Sequence, residues 1–79
     1  MNIPPALQTV IVSDPEILGG TPAFKGTRVP LETFLDHIEY GYSVERFLEG
    51  YSSVQPDQAA AVLHWQGQES RRALGLELF

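Results

Sequence analysis

The stretch that decides the fold reads Pro30-Leu31-Glu32-Thr33-Phe34-Leu35-Asp36-His37-Ile38-Glu39-Tyr40-Gly41. Leu31, Phe34, Leu35 and Ile38 recur at the i, i+3, i+4, i+7 spacing of one apolar helical stripe, with Glu32, Asp36 and Glu39 on the other side. Pro30 suits the first position of such a helix and Gly41 its end. The same spacing returns downstream in Val44, Phe47, Leu48 and Tyr51, where Ser43 offers a capping oxygen, Glu45 favours the positive helix end and Gly50 stops the run. Pro56 opens a third helix with an inner stripe of Ala59, Val62, Leu63 and Gln66, and Gly67 reads as its end or a weak point. Gln55 is a poor capping residue for that helix, although Val54 and Ala59 stand at the two staple positions.

Upstream of Pro30 the periodicity is different. Leu7 to Val12 contains the β-branched run Thr9-Val10-Ile11-Val12 and predicts a strand ending at Ser13-Asp14-Pro15. Gly19-Gly20-Thr21-Pro22 is a turn, and Gly26 is placed at the tip of a tight hairpin joining Ala23-Phe24 to Arg28-Val29. None of the three helical stripes can be buried alone, so they must pack on one another. The expected fold is mainly α: a short N-terminal β arm or hairpin followed by a three-helix bundle. Residues 1–79 form one domain, with 1–30 as the arm, 31–66 as the bundle and 67–79 as a C-terminal tail. The second and third helices, separated by Tyr51 to Gln55, have the lengths of a helix-turn-helix pair.

A chain of 79 residues buries only about three-fifths of the surface its unfolded form exposes, which favours a self-partner or another protein as support. Its 43% hydrophobic content is that of a folded protein. The absence of cysteine excludes disulfides and thiolate chemistry. The first basic residue is Lys25 and no apolar run reaches the length of a membrane span, so a cytoplasmic location without membrane attachment is expected. A net charge of −5 opposes strong nucleic-acid binding by a single chain.

No catalytic or metal constellation is visible. His37 is placed on the polar side of the first helix and His64 lacks a ligand-forming neighbour one turn away, so both read as surface imidazoles. The glycines fit neither the dinucleotide fingerprint nor the P-loop, because Lys25 precedes Gly26 instead of following it. No cofactor is expected. For DNA, the third helix would present Asp57, Gln58, Ala61 and His64, with Gln58 suited to a bidentate adenine contact. Only Lys25, Arg28, Arg46, Arg71 and Arg72 could contact phosphates, with the first three as the candidate site, and a two-fold dimer would double the set. The plainer alternative is a structural third helix with Gln58 solvated. At the C-terminus, Leu74, Leu76 and Leu78 alternate and Phe79 follows, a candidate partner-binding strand that Trp65 would join. The tail folding back on its own core, with Trp65 an ordinary core aromatic, is the alternative.

The stretch Asp14-Pro15-Glu16-Ile17 through Gly20, Pro22 and Gly26-Thr27-Arg28 to Pro30 closely resembles the signature of the bacterial family called domain of unknown function 433. The likeness continues through Gly41-Tyr42-Ser43 and Leu48 to Ser53 into the third helix, covering about residues 8 to 66. The resemblance implies a homeodomain-like helix-turn-helix protein that acts as antitoxin of a type II toxin–antitoxin pair. Its partner would be a PIN-like ribonuclease toxin, and as a homodimer it would repress its own promoter. The runner-up is a dimeric DNA-binding regulator without a toxin. Arg28 in the Gly-Thr-Arg element either contacts DNA or pairs with Asp14 or Glu16.

Overall fold

The computed structural model describes residues 2–76. Two short antiparallel strands, β1 (Ile11–Val12) and β2 (Ala23–Phe24), precede three helices: α1 (Leu31–Glu39), α2 (Val44–Gly50) and α3 (Pro56–Ala73). The fold is mainly helical, with a small N-terminal β arm.

The arm is tighter than a regular hairpin. Pro4 and Pro5 preset the backbone for a 3₁₀ turn over Pro5–Leu7, and the Leu7 N–H donates to the Pro4 carbonyl at 2.9 Å. The Val10 N–H closes a second turn on the Leu7 carbonyl at 3.0 Å. Strand pairing therefore begins only at Ile11, later than the expected Leu7 start, because these turns draw Leu7 and Val10 into the core.

The loop after β1 folds on its own polar groups. The Asp14 carboxylate accepts the Glu16 N–H at 2.9 Å, its carbonyl accepts the Ile17 N–H at 2.8 Å, and the Ser13 hydroxyl donates to the Gly20 carbonyl. Leu18, Gly19 and Gly20 run consecutively at φ 54, 64 and 93°. Glycine takes that conformation freely, whereas for Leu18 it costs about 1–2 kcal/mol.

β2 lies in the middle of the arm. Ile11 faces Phe24 and Val12 faces Ala23 on one side. On the other, Ala23 bridges Pro30, the Phe24 N–H donates to Val29 at 3.1 Å, and the Leu31 N–H donates to Pro22 at 2.9 Å. The expected reversal at Gly26 is present, with φ 81° at the third position of the Phe24-to-Thr27 turn. Buried Thr27 clasps it: its hydroxyl donates to the Phe24 carbonyl at 2.8 Å and accepts the Val29 N–H at 3.0 Å.

The helices follow the expected stripes. Ser43 caps α2 by accepting the Arg46 N–H at 3.1 Å. α1 ends with Gly41 at φ 88°, where the Gly41 N–H bonds to Ile38 at 3.0 Å and the Tyr42 N–H to His37 at 3.0 Å, a Schellman closure. α3 starts more firmly than Gln55 suggests, because the Gln58 side chain reaches back to accept the Gln55 N–H at 2.9 Å. Val54 and Ala59 are both buried as a staple requires. Gly67 does not stop α3, which continues through Ala73 and ends in a second Schellman closure at Gly75. The Arg71 guanidinium lies over Gly67, where a β-carbon would meet its Nη1 at 2.9 Å. A single glycine lowers helix propensity without breaking the hydrogen-bond ladder, so residues 67–73, expected to begin a tail, continue the helix.

Phe24 of β2, Phe34 of α1 and Phe47 of α2 meet at the centre, with ring centroids 4.8–6.2 Å apart and all three fully buried. Ala59 and Val62 of α3 and Leu7, Val10, Ile11, Val29 and Val54 complete the core. Replacing Thr27 by valine preserves volume but removes both clasp bonds and orphans the Val29 N–H. The expected cost is about 2 kcal/mol in urea unfolding, with Thr27→Ser losing less than half of that.

Candidate functional site

Two surface regions combine chemically capable side chains. The first is the turn that carries Lys25 and Arg28, tied to the start of α3. The Gln58 amide nitrogen donates to the Lys25 carbonyl at 3.0 Å while its oxygen holds the Gln55 N–H, so both ends of the side chain are occupied and the residue is only 9% exposed. Gln58 thus faces inward, contrary to the outward placement read from the sequence, and its amide is not free to read a base edge. The reason is geometric: at the third helical position a glutamine satisfies its own helix end, and the neighbouring turn offers an unpaired carbonyl. Lys25 and Arg28 are both exposed on this turn. Arg28 forms no ion pair with Asp14 or Glu16, whose backbone turn is closed by Asp14 alone. Asp57, also exposed, stands beside Gln58 at the same helix end.

The second region is a groove of about 450 Å³ lined by His37, Tyr42, Arg46, Glu49, Gly50 and Tyr51. His37 is half-buried and not on a solvated face. Its ring lies 5.4 Å from Phe47 and 5.5 Å from both Tyr42 and Tyr51. Tyr42 reaches His37 because the Schellman closure of α1 folds the second residue past the helix back onto the last turn. Tyr51 stacks on Phe47 at 4.9 Å and 26°. His37 Nδ1 sits 2.8 Å from the Thr33 carbonyl, which can only accept, so Nδ1 carries the proton and Nε2 is the remaining acceptor of the neutral ring. Arg46 and Glu49 are exposed one turn apart along α2. Sequence reading missed this group because Tyr42 lies in a loop and His37 falls outside the apolar stripe. The signal present in the chain was the Gly41-Tyr42 helix stop, which dictates that Tyr42 returns onto His37.

The partner-binding candidates are divided by the structure. Trp65 is half-buried against the core and borders a cleft with Pro4, Pro5 and Ala6, whereas Leu74 and Leu76 are 72% and 57% exposed at the end of α3. Leu74 closes the helix and Leu76 N–H bonds back to Arg71 at 2.7 Å, so these two are set by a helix end and not by an extended strand. Leu78 and Phe79 lie outside the described residues. Among the described residues, no group of three or more His, Asp or Glu side chains is arranged to hold a metal, and no helix is long and apolar enough to cross a membrane.

A bundle of this kind, fronted by the Asp-Pro and Gly-Thr-Arg turns, is the setting in which the family match falls. The family model for proteins of unknown function DUF433 matches residues 11–65, from β1 through most of α3, and the chain belongs to that family. It is similar to the uncharacterized protein y4eO of Sinorhizobium fredii, at 42% identity over 53 residues that make up 67% of this chain and 24% of the relative. The chain therefore spans about a quarter of the length of that curated relative. No solved structure matches it.

Gln58→Met removes both amide bonds while keeping the volume. It is expected to destabilise the fold by about 2 kcal/mol, a fall of roughly 10 °C in the melting midpoint by circular dichroism.

Proposed function

We propose that this chain is a cytoplasmic, non-catalytic binding protein of antitoxin type that neutralises a PIN-like ribonuclease toxin. The observation that carries the reading is the end of α3. Residues 70–76 are exposed, and the helix closes with Leu74 and Leu76 presented to solvent. Apolar side chains at an exposed helix end are suited to anchoring in a partner's pocket, and a surface of this kind binds without any reacting group. The net charge of −5 favours encounter with a basic, RNA-binding surface over one that is acidic. The toxin class itself comes from the family resemblance.

A second reading, a dimeric helix-turn-helix regulator, is favoured by one specific contact: Gln58 ties the Lys25–Arg28 turn to the start of α3. With Gln58 turned inward, that reading rests on Lys25, Arg28 and Arg46 as phosphate contacts, doubled across a two-fold axis. DNA binding of this origin weakens steeply with salt, and no mobility shift on the upstream promoter would remove it. Both readings are compatible in one homodimer.

Co-expression with the product of the neighbouring reading frame is expected to yield a complex stable at micromolar concentration; a ribonuclease-like neighbour that fails to bind there refutes the antitoxin reading. The double variant Leu74→Asp, Leu76→Asp is expected to retain its helical circular dichroism while losing about ten-fold or more in affinity.

A further inference from the structure

The groove between α1 and α2 has the make-up of a cation site. We propose that it seats an arginine side chain of a basic partner protein. The proposal deepens the antitoxin reading and rests on it only for the source of the arginine.

Three aromatic rings surround the space. Tyr42, 52% exposed, and half-buried Tyr51 each lie 5.5 Å from the His37 ring. Ring faces attract cations through their quadrupole, and a planar guanidinium stacks on them where an ammonium only touches. A volume of about 450 Å³ accommodates a guanidinium with its aliphatic stem. In its neutral form the His37 ring contributes an acceptor, because Nδ1–H is committed to Thr33 and Nε2 keeps its lone pair. Glu49 adds a carboxylate able to take two guanidinium N–H groups at once.

The surrounding charge has the matching sign. α1 and α2 carry the carboxylates of Glu32, Asp36, Glu39, Glu45 and Glu49 against the one guanidinium of Arg46. His37 lies in the last turn of α1, the negative end of its peptide dipoles. Arg46 is the opposing feature of the groove. It forms no ion pair with Glu49, so the carboxylate remains available to a second guanidinium.

Amide NMR spectra of the full chain, titrated with a blocked tripeptide carrying a central arginine, test this directly. Saturable shifts centred on His37, Tyr42, Gly50 and Tyr51 are expected. Glu49→Gln weakens binding about three-fold and Arg46→Gln tightens it by a similar factor, both at exposed positions that leave the spectrum of the core unchanged. Absence of shifts at the groove overturns the proposal, as does equal binding of the corresponding lysine peptide. Adenosine monophosphate is the third probe: if it binds there, and Glu49→Gln tightens it, the groove belongs to anions and the proposal fails. Because the tripeptide reports on the groove alone, its failure leaves toxin binding through α3 intact. Conversely, failure to capture a toxin leaves a positive titration standing.

Discussion

The contact on which the structure depends is the meeting of Phe24, Phe34 and Phe47. Each ring comes from a different element, and none of those elements is long enough to be stable alone: β2 has two residues, α2 seven and α1 nine. Edge-to-face packing of Phe34 on both others fixes how the arm meets the helices. Phe47 extends the same aromatic network outward to Tyr51 and His37, so the groove at the α1–α2 corner is built directly on the core. A shift of Phe47 would be felt at the groove within a single contact.

That centre was largely readable from periodicity. Phe34 and Phe47 fall on helical stripes, and the helix starts at Leu31, Val44 and Pro56 follow from Pro30, Ser43 and Pro56. Phe24 was harder, because a two-residue strand between turns has no period to detect. The misplacements have a common origin in hydrogen bonds that satisfy main-chain groups. Gln58 turns inward to hold two main-chain groups, and Leu7 is captured by a proline-started turn. His37 is drawn onto Tyr42 by a helix stop. Such choices depend on which orphan N–H or carbonyl lies within reach, and for the Gln58–Lys25 bond that carbonyl lies 33 residues away in the chain.

The motif that places the chain in its family gains a physical meaning here. Asp14 closes one turn through its carboxylate, Gly26 occupies a position that requires positive φ, and Thr27 clasps the reversal from both sides. These residues hold the turns of the arm in shape. Arg28 stands apart: it is exposed and forms no ion pair with the acidic turn, although it lies next to the clasp. The signature therefore combines a scaffold with two outward basic side chains, Lys25 and Arg28.

α3 is anchored at its root and bare at its tip. Gln58, Ala59 and Val62 are buried, while from Ser70 onward the helix has only solvent-facing side chains and an exposed Arg72–Glu69 pair. Backbone hydrogen bonds without overlying apolar contacts open by fraying, independently of the global unfolding that governs the root. The last turns are therefore less stable locally than the root of the helix, and a partner that grips them must first quench that fraying. The entropy lost in doing so makes such a grip easier to reverse than the buried apolar area alone would suggest.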